Sequence, residues 1–140
     1  MSETVHAGCV AIGGRGVLIA GASGRGKSDL ALRLIDRGAR LVSDDYSLLQ
    51  SRNGRLIASA PASIAGRIEV RGVGIVDMDA LEQAPVCLLV DLDAAPERLP
   101  VTRMATLLEC SVPALGLDAL EASAPIKVET ALRLFGLQHE

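Results

Sequence analysis

The eight residues "GASGRGKS", Gly21 to Ser28, restrict this chain more than any other stretch of it. They match G-x-x-x-x-G-K-[ST] in full, a pattern whose small residues let successive backbone N–H groups converge on phosphate oxygens. In that pattern Lys27 supplies a point charge, the Ser28 hydroxyl is placed to ligate Mg²⁺, and the following helix adds the positive end of its dipole. "VLIA" before the loop reads as a strand. From Lys27 onward Leu30, Ala31, Leu34 and Ile35 recur on one helical face, Asp29 suits the first turn and Gly38 the stop. Strand, loop and helix are the context the motif needs, which makes Gly21, Ala22, Ser23, Gly24, Arg25, Gly26, Lys27 and Ser28 candidate phosphate-binding residues.

The rest of the chain alternates in the same way. "TVHAGCVAIGGRGVLIAG" reads as two strands joined by a tight turn at "GGRG", and "RLVSDD" as a short buried strand ending in two carboxylates. "YSLLQSRNGRLIAS" reads as a hairpin around Asn53-Gly54. "ASIAGRIEVRGVGIVDM" is glycine-rich and reads as irregular, whereas "VCLLVDLD" has the strongest signature of a buried strand. "RMATLLECSVPAL" predicts a further pair of strands or a strand with a long loop, and "SAPIKVETALRLFGL" a final helix with Ser123 as its cap and Gly136 near its stop. The expected architecture is a compact α/β domain with a mixed sheet.

Composition limits the partners. Among 140 residues, 14 are basic and 17 acidic for a net charge of −3, and Lys and Arg form no stripe, so nucleic acid is not an expected partner. With one Tyr, one Phe and no Trp, stacking on bases is nearly unavailable. Cys9, Cys87 and Cys110 are an odd number without metal-ligand spacing, which fits a reduced cytosolic protein. No apolar run approaches the ~18 residues of a membrane helix, and "MSETVHAG" lacks the basic-then-apolar order of an export signal.

A phosphate loop of this kind works with an acidic residue at a strand end, and two strand ends compete. Asp91 follows the cleaner apolar run, and periodicity alone favours it. Asp44 and Asp45 are a pair, but neighbours on an extended strand face opposite ways, and a solvated turn or helix cap accounts for them equally well. Glu69 and Arg71 fall two apart among glycines, placed either to join a metal and phosphate shell or to form a surface ion pair. His6 sits within the first strand, where a structural role is the commoner one.

Taken in order, "TVHAGCVAI", "GVLIAGASGRGKSDLALRLIDRGARLVSDD" and "IEVRGVGIVD" resemble the catalytic domain of bacterial HPr kinase/phosphorylase over residues 4 to about 77. They look like its histidine-bearing strand, its phosphate loop with the helix and Asp pair that follow, and its glycine-rich signature segment. The resemblance implies a cytoplasmic P-loop kinase of the phosphoenolpyruvate-carboxykinase-like type, usually a hexamer. Such an enzyme uses ATP and Mg²⁺ to phosphorylate a serine of the phosphocarrier HPr of the phosphotransferase system, and reverses the reaction by phosphorolysis. Carried over residue by residue, it implies Asp44 as catalytic base, Asp45 as its acidic neighbour and His6 as their support. Ser28 and Glu69 would serve the metal, Lys27 and Arg71 the phosphates, and Asp91 would be structural.

Two departures accompany the resemblance. The family's N-terminal domain has no counterpart, so residues 1–140 are read as a single catalytic domain. The family's arginine-containing loop before the last helices, linked to phosphorolysis and subunit contact, is replaced by "SVPALGLDALEASAP", and no Arg or Lys lies between Arg103 and Lys127. Two other readings compete with the kinase: a small-molecule kinase, disfavoured by the scarcity of arginines in the later half, and a nucleotide-sensing module that transfers nothing.

Overall fold

The structure is a computed structural model that describes residues 2–101 and 103–138. Strand β1 (Ser2–Val5) is followed after one residue by β2 (Ala7–Ile12), which turns at Gly13 and Gly14 into β3 (Arg15–Ala20). Both turn glycines have positive φ, 58° and 82°, as the two-residue turn that matches strand twist requires. The phosphate loop leads from β3 into helix α1 (Lys27–Asp36), which buries Leu30, Ala31 and Leu34. The helix stops where predicted: Gly38 has a φ of 113°, its N–H bonds the Ile35 carbonyl, and the Ala39 N–H returns to the Leu34 carbonyl.

Next come β4 (Arg40–Ser43), the hairpin of β5 (Ser47–Arg52) and β6 (Arg55–Ser59), and a short 3₁₀ turn at Ala62–Ile64. β7 (Arg67–Val70) and β8 (Gly74–Asp77) precede the long β9 (Gln83–Asp91). β10 (Arg103–Leu107), β11 (Cys110–Gly116) and helix α2 (Ala124–Phe135) complete the chain. Among the described residues, nine strands form one curled mixed sheet, with β1-β5-β6-β9-β3-β2-β4 in order and β11 and β10 added beside β9, while β7 and β8 pair only with each other. β3 runs parallel to β9, with Ala20 opposite Asp91; β2 is antiparallel to both β3 and β4, with Cys9 opposite Leu18 and Ser43. The C-terminal ends of β3, β4 and β9 therefore emerge at one edge of the sheet, where ligands of such sheets bind.

Alternation along the strands feeds two cores. Val10, Val17 and Ile19 face the helices, packing with Leu30, Leu34, Val128 and Leu132; Cys9, Ala11 and Leu18 face the other way, towards Leu49, Leu56 and Val86. Arg15, at the start of β3, fastens the end of α2 to the sheet by donating to the Leu132 carbonyl, which also accepts the Gly136 N–H, and to the Leu137 carbonyl just beyond the helix. No helix among the described residues is long and apolar enough to cross a membrane.

Three expectations are corrected. The segment read as irregular is the β7–β8 hairpin, whose alternation is hidden by the left-handed Gly72 and Gly74 (φ 84° and 138°). His6 is not inside a strand: it occupies the break between β1, which pairs with β5, and β2, which pairs with β3. Ser123 stands at the start of α2, but its side chain makes no capping bond; its carbonyl accepts the Lys127 N–H instead.

Candidate active site

A cleft of about 900 Å³ opens at the sheet edge where β3 and β4 end. Its floor is the phosphate loop, through Ser23, Gly24, Gly26, Lys27 and Ser28; Asp44, Asp45 and Tyr46, and Glu69, Val70 and Arg71, line its wall. Gly24 and Gly26 hold left-handed backbone at φ 86° and 94°, and a Cβ on Gly26 would stand 3.2 Å from that of Ala119. Only glycine takes this path without strain. Lys27 is buried, with Nζ donating to the Gly21 carbonyl at 2.8 Å and the Ala22 carbonyl at 3.3 Å.

The two carboxylates after β4 both line the cleft, which extended backbone would forbid. The strand ends at Ser43, and the chain turns sharply, with the Tyr46 N–H on the Asp44 carbonyl at 2.7 Å and the Ser43 hydroxyl on the Tyr46 carbonyl. Asp45 itself has a φ of 65°, a conformation Asp adopts more readily than most residues. The carboxylates then take separate partners. Asp44 accepts the Ser28 hydroxyl at 2.6 Å through Oδ1 and the Glu69 backbone N–H at 2.9 Å through Oδ2. Asp45 Oδ1 lies 3.0 Å from His6 Nε2 and 3.5 Å from Lys27 Nζ.

Two contact groups thus lie side by side, Ser28–Asp44–Glu69 and His6–Asp45–Lys27, joined only through the backbone between adjacent residues. Glu69 enters the first through its amide, and Arg71 lies on the turn between β7 and β8 rather than on a strand beside Glu69. Gly21, Ala22 and Arg25 are not on the cleft wall; Ala22 and Arg25 contact Asp93 behind the loop. Asp91 also stands behind, accepting the Asp93 N–H at 2.9 Å.

Sequence reasoning missed two residues. Tyr46 stacks on the His6 ring, with centroids 4.7 Å apart and planes 20° off parallel, and its only forewarning is its place after the Asp pair. Asp93 was signalled by "DLD" at a strand end beside the loop.

Chemically, the floor offers N–H donors and an ammonium for anionic oxygens, and the wall offers a carboxylate fixed by two hydrogen bonds. No group of three or more His, Cys, Asp or Glu suited to a metal occurs among the described residues. The Ser28 hydroxyl and the Glu69 carboxylate, both belonging to residues on the cleft lining, are nevertheless hard oxygen donors of the kind Mg²⁺ takes when phosphates and water complete its shell.

Comparison with known proteins identifies the family and the fold. The family model described as HPr Serine kinase C-terminal domain matches residues 1–87. Proteins named HPr kinase/phosphorylase from Clostridium botulinum (strain Eklund 17B / Type B) and Brevibacillus brevis are 47% and 49% identical over 77 and 78 residues, 55% of this chain. The matched segment spans only 25% of each relative's length. A solved structure of the Hpr(Ser) kinase/phosphatase from Coxiella burnetii superposes with a TM-score of 0.80 at 35% identity, covering 94% of both chains.

Proposed function

The chain belongs to the HPr serine kinase C-terminal domain family, and from that premise we propose that it is a P-loop kinase of the phosphoenolpyruvate-carboxykinase-like type. Its reaction transfers the γ-phosphoryl group of ATP to a serine of the phosphocarrier HPr in the cytoplasm. The observation that carries this reading is the setting of Asp44, held between the Ser28 hydroxyl of the phosphate loop and the Glu69 amide of β7. A carboxylate fixed beside the phosphate floor stands where the hydroxyl of an incoming serine loses its proton.

In the forward direction the serine oxygen attacks the γ-phosphorus, the bond to the β–γ bridging oxygen breaks, ADP leaves, and the serine proton passes to Asp44. Lys27 and the loop amides hold the phosphates, Arg71 meets phosphoryl oxygens from the β7–β8 turn on the cleft lining, and Asp45 with His6 steadies Lys27. Ser28 and Glu69, both on the cleft lining, would hold Mg²⁺, which when bound offsets negative charge on the phosphate oxygens and leaves Asp44 free to take the proton. In phosphorolysis an oxygen of inorganic phosphate attacks the phosphorus of phosphoserine, the bond from that phosphorus to the serine oxygen breaks, the proton lost by the phosphate passes through Asp44 to the serine oxygen, and pyrophosphate is released.

Mass spectrometry of HPr incubated with this protein, Mg²⁺ and ATP tests the proposal. One added phosphoryl group on an HPr serine supports it; unmodified HPr alongside measurable ATP binding favours a nucleotide sensor.

A further inference from the structure

Asp93 lies two residues beyond β9, behind the phosphate loop and outside the cleft. Both carboxylate oxygens reach the Ala22 backbone N–H, at 3.0 and 3.2 Å, and Oδ1 lies 3.2 Å from Arg25 Nε. The turn that carries it is tied down on both sides: Asp91 Oδ1 accepts the Asp93 N–H at 2.9 Å, and the Ala20 carbonyl at the end of β3 accepts the Leu92 N–H at 2.8 Å. A Cβ on Gly21 would stand 3.0 Å from the Leu92 Cβ and 3.4 Å from the Arg25 Cβ, so the Arg25 stem packs across the back of Gly21 on its way to Asp93. Ser23, Gly24, Gly26, Lys27 and Ser28 line the cleft, whereas Arg25 does not.

We propose that Asp93 is a positioning residue for the phosphate loop, and that Arg25 is its strut rather than a phosphate ligand. The proposal rests on the reading of the cleft as a nucleotide site. Asp93 fixes the start of the loop by its Ala22 N–H, and Arg25 braces the middle against the same carboxylate. The shares differ. The Arg25 and Asp93 side chains are 60% and 46% exposed, so their ion pair contributes little, while the charge-assisted bond to the loop amide contributes more. The guanidinium is directed to Asp93 and off the cleft lining, away from where a phosphate would sit.

Calorimetric titration of the whole chain with Mg-ADP and Mg-ATP tests this, comparing the unsubstituted protein with Arg25→Ala, Asp93→Asn, Asp93→Ala and the double alanine variant. Arg25→Ala is expected to weaken both nucleotides alike, by less than about fivefold. Asp93→Ala should weaken both by about tenfold, and the double variant by no more than Asp93→Ala alone. Asp93→Asn should fall between, because its amide oxygen still accepts the Ala22 N–H; it also keeps the test decisive if the alanine variant does not fold. A loss on Arg25→Ala confined to ATP would make Arg25 a γ-phosphate ligand and overturn the proposal, as would unchanged or tighter binding by both Asp93 variants. If the unsubstituted protein binds neither nucleotide, the loss is common to every protein tested, and the nucleotide reading falls together with this one.

Discussion

Two strand ends flank the phosphate loop, and each carries two acidic residues, yet they do opposite things. After β4, Asp44 and Asp45 turn into the cleft and take Ser28, Glu69, His6 and Lys27 as partners. After β9, Asp91 and Asp93 turn behind the loop, where one closes its own turn and the other meets Ala22 and Arg25. β9 is the longer and more apolar strand and runs beside β3 itself, so strand quality and proximity both point to the end whose carboxylates do not line the cleft. What separates the two is the turn: the left-handed Asp45, with the Tyr46 N–H on the Asp44 carbonyl, folds both carboxylates towards the floor of the cleft. Burial selects strands; the turn beyond them assigns chemistry.

That contrast predicts a graded set of effects. Asp44→Asn keeps an oxygen for the Ser28 hydroxyl but removes the base, and phosphoryl transfer should fall by about 10²- to 10⁴-fold in a steady-state assay, with ATP affinity kept. Lys27→Met removes the one ammonium on the cleft floor; ATP titration should show the largest loss of nucleotide affinity of any single substitution here, on the order of 10²-fold. Asp45→Asn leaves the loop lysine without its carboxylate, at a cost of about tenfold in kcat/KM. Asp91→Asn retains an acceptor for the Asp93 N–H, so activity should stay within about threefold and chemical denaturation should shift by under about 0.5 kcal/mol.

The smallest effect concerns the sheet that both ends share. Burial pushes the Cys9 thiol up from 9.0 to about 12. The unfolded thiol ionises first, so the native state holds a proton that the unfolded state has lost. Cys9 therefore contributes stability in full below pH 9 and loses it as pH rises towards about 12. Melting temperatures should fall across that window, and less steeply in Cys9→Ala.

Much of this was legible in the residues. The motif, the strand before it and the helix after it are local and use strong signals: Gly13-Gly14 and Asn53-Gly54 turned where two-residue hairpins turn, and Gly38 ended α1. The resemblance pointed to Asp44 where hydrophobicity pointed to Asp91, and the geometry places Asp44 on the cleft wall and Asp91 behind the loop. The rest depended on distant parts of the chain. Nothing local shows that β1 leaves β2 at His6 to pair with β5, because that choice is made 40 residues later by the position of the β5–β6 hairpin. The β7–β8 hairpin is obscured because its own glycines interrupt the alternation that would mark it. That the Glu69 amide, rather than its carboxylate, meets Asp44 follows from how this hairpin lies against the β4 turn, which no spacing rule encodes.

The most direct test of the central claim is to assay Asp44→Asn and Asp91→Asn side by side for phosphorylation of HPr, with ATP affinity measured on the same samples. Retained ATP binding in both, with transfer lost only in Asp44→Asn, is the predicted result. Transfer that survives in Asp44→Asn and disappears in Asp91→Asn would contradict the account and move the chemistry to the other strand end.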